Sequence, residues 1–262
     1  MQRLAALEGA PAISAEVLLA RARAALEAGQ LDRVDDAVRA LLADDPWEWR
    51  AVWMSGLVAL ARRQTAEAQS AFNAVYGQVP GELAPKLALA FACETGGEAD
   101  VAESLYITCA RTDANYIAPA AFGLARIRSG RGDIQGAIRA LDLVPPTSRA
   151  YTPARRRRAS LLAESGGGLR SLADALESID NLTIDPVDRS RFRVEVLQSA
   201  LQVVETQGVD PAVTIGGQSA SEPFLRDGLE AAYRDLAGYA PTREERVGLV
   251  DQANAVRRWT LR

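Results

Sequence analysis

Four consecutive arginines, Arg155 to Arg158, are the densest charge in the chain and pose the first chemical question. Guanidinium groups in that number could hold phosphate or an anionic surface. On a helix, however, four successive residues span slightly more than one turn and cannot share a face. The competing reading is a solvated helix in which one or two of them pair with neighbouring acids. Ser160 ends an Arg-Arg-Ala-Ser stretch of the kind basophilic kinases modify, but a helix there leaves the hydroxyl poorly accessible. Asn181-Leu182-Thr183 has the form of a glycosylation acceptor, which a cytosolic protein never presents to the transferase. Ser165 to Gly168 has the composition of a phosphate nest. It follows a predicted helix instead of a strand and lacks a neighbouring Lys-Ser/Thr, so it reads as a flexible loop.

Catalytic chemistry finds no foothold. The 262 residues contain no histidine, which removes the commonest general base and the commonest metal ligand together. Carboxylates are plentiful, but at the helical spacings of solvated faces, and no Ser or Cys comes with a plausible base. The two cysteines, Cys93 and Cys109, read as buried, reduced, small apolar residues. We therefore expect no enzyme, no catalytic residue, no cofactor and no metal. A net charge of −4 gives no sign of a nucleic-acid binder. "MQRLAALEGAPAISAE" lacks the apolar core of a signal peptide. The longest nearly apolar run, Ala51 to Ala61, is about half the ~20 residues a membrane span needs. The expectation is a cytoplasmic protein without a membrane span.

The elements that position these residues follow from a repeat. Pro46 and Pro80 are 34 apart, as are Ala68 and Ala102, with Ala137 35 further on. Val38, Phe72, Tyr106 and Leu141 keep the same steps, and so do the loop residues Gly29, Arg63, Gly97 and Gly132. Each unit reads as two helices, Ala15 to Ala28 and Asp32 to Ala43 in the first. Gly past a helix end supplies the left-handed residue, Asp32 and Asp133 favour a new start, and Pro46 and Pro80 end the second helix. Ala68, Ala102 and Ala137 let the paired helices approach, and the bulky residue one turn later fills the space beside the crossing. Lys86 to Cys93 is apolar nearly all round, which predicts a helix covered on all sides by its partner and by neighbouring pairs.

This pattern resembles the tetratricopeptide repeat, best in the second unit with Gly56, Ala68, Phe72 and Pro80. The first unit departs from it at Val34, and the third ends on Ala114 where Pro is usual. The expected fold is all-α, a right-handed α-α superhelix of tetratricopeptide repeats with C-terminal capping helices. Residues 1–14 read as a linker, 15–148 as four repeats, 149–206 as a divergent helix pair plus a long helix, 207–221 as a mobile loop and 222–262 as a helical cap, in one continuous domain.

"GELAPKLALA" (81–90), "AAFGLAR" (120–126), "VPPTSR" (144–149), "APT" (240–242) and "LVDQANAVR" (249–257) give a closer likeness over essentially the whole chain. Together they resemble the C-terminal tetratricopeptide region of the actinobacterial serine/threonine protein kinase G family. In that family a rubredoxin-like metal motif and a kinase domain come first. Here paired Cys-x-x-Cys is missing, and without histidine an H-R-D loop cannot be written. On this resemblance the chain is expected to start where the kinase part should already have ended, with Met1 either an expression boundary or the start of a naturally separate protein. The resemblance implies a regulatory region that supports dimerisation, stability and substrate choice of a kinase domain in cis. The substrates it implies are small forkhead-associated-domain regulators of 2-oxoglutarate dehydrogenase and glutamate metabolism. A stand-alone adaptor and a purely structural module stay open as rivals.

In this repeat family the first helix of each pair lines the inner surface. Trp53, Leu57 and Leu60 fall on one helical face, Leu87 and Phe91 take equivalent places in the next unit, then Phe122 and Arg126, with Arg50 at the rim. An aromatic-lined groove with flanking arginines suits an extended or helical peptide carrying acidic groups. The same residues would alternatively be core between repeats, or contact the chain's own C-terminal helices.

Overall fold

The computed structural model describes residues 14–180 and 182–257. The N-terminal stretch read for a signal peptide, Asn181 of the glycosylation motif and Trp259 at the end of the last expected helix fall outside them. Thirteen α-helices run through the described residues: α1 Ala15–Glu27, α2 Leu31–Asp44, α3 Trp49–Ala61, α4 Thr65–Gln78, α5 Leu83–Gly96, α6 Ala99–Thr112, α7 Ala114–Gly130, α8 Ile134–Asp142, α9 Tyr151–Glu164, α10 Gly168–Asp180, α11 Pro186–Gln207, α12 Glu222–Gly238 and α13 Arg243–Val256. The chain divides into two compact units, one ending at Ile127 and the other beginning at Arg128.

In the first unit α1 packs on α2, α3 on α4 and α5 on α6. Consecutive pairs join because α2 also packs on α3, α4 on α5, and α1 touches α3. One apolar cluster makes the sharing concrete. Leu19, Ala22 and Ala25 of α1 and Val34, Val38 and Leu41 of α2 are completed by Ala51, Met54 and Val58 of α3. No pair finishes its own core, which is how a repeat array gains its stability.

The repeat columns occupy the helix crossings. Ala68, Ala102 and Ala137 are fully buried, and Val38, Phe72, Tyr106 and Leu141 are buried beside them. A further column runs through the first helices: Ala22, Gly56, Ala90 and Gly123 are all buried. A methyl group on Gly56 would lie 2.6 Å from the Phe72 ring, and one on Gly123 would lie 2.3 Å from the Tyr106 ring. Both glycines are therefore required by an aromatic ring held against the helix backbone.

The turns inside the pairs share one geometry. Gly29, Arg63, Gly97 and Gly132 all have positive φ, of 71°, 61°, 91° and 80°. In each, the next residue's N–H bonds back to the carbonyl five residues earlier: Gln30 to Ala25, Gln64 to Ala59, Glu98 to Cys93 and Asp133 to Arg128. That is the Schellman ending of a helix, whose left-handed residue is normally glycine. Asp133 caps α8 as expected, its carboxylate accepting from Gly136 N at 2.8 Å. Asp32 does not cap α2. It lies inside the first turn, where the helix dipole favours an acid, and its carboxylate pairs with Arg62, the residue that caps the end of α3. Asp133→Ala should cost about 1 kcal/mol, read as a shift in the urea midpoint of the second unit.

In the second unit α8 through α13 pack each on the next. The segment expected to be a mobile loop is anchored. Thr214–Ile215 and Gln218–Ser219 form a two-stranded antiparallel hairpin around Gly216 and Gly217, both left-handed. Its first strand packs on α10, and Val213, Ile215 and Ala220 are buried. Gly, Pro and Ser set the turns of this stretch, while its few apolar residues supply the attachment.

All four arginines of the run are engaged, more than the expected one or two. Arg155 and Arg158 reach Asp142 at 2.6 and 3.0 Å, Arg156 reaches Asp188 at 3.1 Å and Arg157 approaches Glu164 at 3.8 Å. Arg155 also stacks on the Tyr151 ring, 5.0 Å from its centroid. Ser160 is half-buried and donates to the Arg156 carbonyl within its helix.

Candidate functional site

α3 and α5 carry the apolar row expected to line a groove. α5 is not covered all round: Leu83, Leu89, Ala90 and Cys93 are buried, but Phe91 keeps 42% of its surface exposed. Leu57, Leu60, Leu87 and Phe122 are half-buried. Leu60 and Phe91 meet across a hollow of about 500 Å³ that Arg63, Thr65 and Thr95 complete. A second hollow of about 480 Å³ brings Arg50 and Trp53 together with Leu19, Trp49 and Pro85. Trp53 also leans on Phe72, ring centroids 5.1 Å apart, and so belongs partly to the core.

Neither expected arginine offers an open charge. The Arg50 guanidinium grips Glu48 with two hydrogen bonds, at 2.6 and 2.8 Å, and Glu16 with a third at 2.7 Å. Hydrogen bonding to Arg50 holds the Glu48 carboxyl below its usual range even though burial opposes it. The same bonds, from Glu48 first and Glu16 second, raise the Arg50 pKa. Arg126 is held in bidentate fashion by Glu94, at 2.6 and 2.8 Å, and lies 6.0 Å from the Phe91 ring centroid. Glu94, only 15% exposed, also accepts the Tyr106 hydroxyl at 2.7 Å. One carboxylate thus ties α5, α6 and α7 together. Burial, then the neighbouring Glu94, push the Tyr106 phenol well above its usual pKa.

Sequence reasoning missed Glu94, Glu48 and Arg63. A signal for one ion pair was present: Glu16 and Arg50 are one 34-residue period apart, so they sit in register on stacked first helices. Cys93 and Cys109 are free and buried, and desolvation raises both thiols. Among the described residues no group of three or more Cys, Asp or Glu is gathered to hold a metal. Nor is any described helix long and apolar enough to cross a membrane.

The geometry of paired helices, each pair lending its first helix to its neighbour's core, has a counterpart in sequence. Residues 2–260 match the family described as Protein kinase G tetratricopeptide repeat. The chain belongs to that family. Among its relatives, the serine/threonine-protein kinase PknG of Mycolicibacterium smegmatis is 36% identical over 249 residues, and that of Mycobacterium leprae is 37% identical. Each match covers 93% of this chain but 32% of the relative, so the chain spans about a third of the length of the curated relatives it matches. A solved fold is shared with the C-terminal part of a tetratricopeptide-repeat protein of Cytophaga hutchinsonii. The TM-score is 0.64 at 11% identity, covering 95% of this chain and 92% of that one. The family's tetratricopeptide-repeat solenoid is therefore the fold of this all-α chain.

Proposed function

We propose that this chain is the non-catalytic regulatory region of a cytoplasmic serine/threonine protein kinase, and that its first unit binds a segment of a partner protein along the apolar row of α3, α5 and α7. Phe91 carries the reading. It stands exposed in a helix that is otherwise largely buried, beside a hollow bounded by Leu60. Water-facing aromatic surface next to a concavity is what a partner's anchor side chain would cover. The kinship with PknG supports a kinase domain in the same polypeptide as one partner, and a forkhead-associated-domain substrate or a second copy as others. Control of central carbon and glutamate metabolism would then follow from substrate choice.

A structural role is favoured at the other end of the row. There Trp53 packs on Phe72 and Arg50 is saturated by two carboxylates, so little remains to be offered. The test separates the two ends. Leu87→Ala with Phe91→Ala should leave thermal melting within a few degrees of the parent, because neither residue is fully buried. It should also weaken binding to a purified forkhead-associated-domain substrate at least tenfold. Equal binding by parent and double variant would remove the groove from the account.

A further inference from the structure

Arg63 occupies the one position of its column where glycine is replaced. Among the described residues it is the non-glycine residue with a positive φ, at 61°. The left-handed conformation is unfavourable for a residue with a Cβ; the Schellman turn holds it here, and strain of that kind clusters at ligand-binding and other functional sites. Packing does not require the side chain: Arg63 is exposed, and no ion pair or hydrogen bond of its side chain occurs among the described residues. What it does is form one wall of the hollow shared with Leu60, Thr65, Phe91 and Thr95.

The surrounding charges explain why this guanidinium matters. Arg126 faces the Phe91 ring but is already bound by Glu94. Arg62, next in sequence, is taken by Asp32 and Asp35. Arg63 therefore remains the open cation of that hollow. Thr65 opens α4, whose N-cap residue Gln64 makes no side-chain capping bond, so the positive end of that helix dipole adds to the same field. Glu67, in the first turn of α4, does not line the hollow. An apolar floor of Leu60 and Phe91 with a single unpaired cation at its edge is complementary to an apolar side chain flanked by a carboxylate.

We propose that this hollow, as part of the groove reading above, recognises a partner peptide in which Asp or Glu adjoins a large aliphatic or aromatic residue. The apolar side chain seats on Leu60 and Phe91, and the carboxylate pairs with Arg63. Glycine at position 63 separates this role from a structural one, because it relieves the backbone while removing the charge.

The experiment selects a phage-displayed library of random 12-residue peptides on the 262-residue chain. The peptides recovered are then measured against Arg63→Gly and Phe91→Ala by fluorescence anisotropy. Selected peptides should carry an acidic residue next to a large apolar one. Arg63→Gly should bind them about tenfold or more weakly, as expected for losing a charge-assisted hydrogen bond, while melting no lower than the parent. If Phe91→Ala abolishes binding and Arg63→Gly leaves it unchanged, the groove stands and the proposed role of Arg63 falls. If neither variant affects binding, or no peptide is enriched, both readings fall. Enrichment of neutral or basic peptides overturns the acidic specificity.

Discussion

Phe72→Ala should destabilise the first unit by about 3–5 kcal/mol, the range for removing a fully buried aromatic side chain. The more telling result is expected from Gly56. Gly56→Ala alone places a methyl group 2.6 Å from the Phe72 ring and should cost about 1–3 kcal/mol through overpacking. In the Phe72→Ala background the ring is gone and the methyl group has room. The substitution should then stabilise by up to about 1 kcal/mol, because alanine is the better helix former. A sign reversal of this kind is a large coupling energy and isolates the ring-on-backbone contact. Urea unfolding followed by tryptophan fluorescence measures it, since Trp47, Trp49 and Trp53 all lie in this unit and Trp53 touches the Phe72 ring. Additive costs would mean that the two residues do not share the crossing.

The carboxylate of Glu94 comes second in expected effect. Glu94→Ala removes the acceptor of the buried Tyr106 hydroxyl and the carboxylate that grips Arg126. The expected loss is about 2 kcal/mol, mostly from the tyrosine, because half of the Arg126 side chain can turn to water. The same network gives stability an alkaline limit. The Tyr106 pKa is raised in the folded chain from an ordinary value of 10.0, by burial first and by Glu94 second. Above about pH 10 the unfolded chain releases a proton that the folded chain still holds, so stability falls as pH rises through that range. Below pH 10 both states keep the proton and this contribution is complete. Tyr106→Phe should cost about 1 kcal/mol at neutral pH and flatten the decline above pH 10. Glu94→Ala should reduce that decline without abolishing it, because burial is the larger cause. An unchanged alkaline profile in Tyr106→Phe would remove Tyr106 from the account.

Much of the architecture was legible because a repeat writes its contacts at a fixed interval. Ala68, Phe72 and Gly97 recur for reasons of space and backbone conformation that act on single residue types. The apolar row was legible in the same way, from helical spacing. Its charges were not. Arg50 and Arg126 read as open cations because Glu48 comes from a turn and Glu94 from a neighbouring helix, whose side-chain directions no local pattern states; Glu16, one period before Arg50, was the readable partner. Arg63 read only as one of the loop residues that keep the period, and its φ and its place on the hollow are what set it apart. Residues 208–221 misled because a short hairpin and an unstructured linker use the same turn-forming residues. Burial of Val213 and Ile215 separates the two.

The cluster that α1 and α2 share with α3 also limits how the protein can be shortened. A fragment beginning at Trp49 would expose Ala51, Met54 and Val58, which now face Leu19, Val34 and Leu41. Whatever is cut away at that end, a new polar face on α3 must take the place of the helices removed, or the fragment will stick to its own copies.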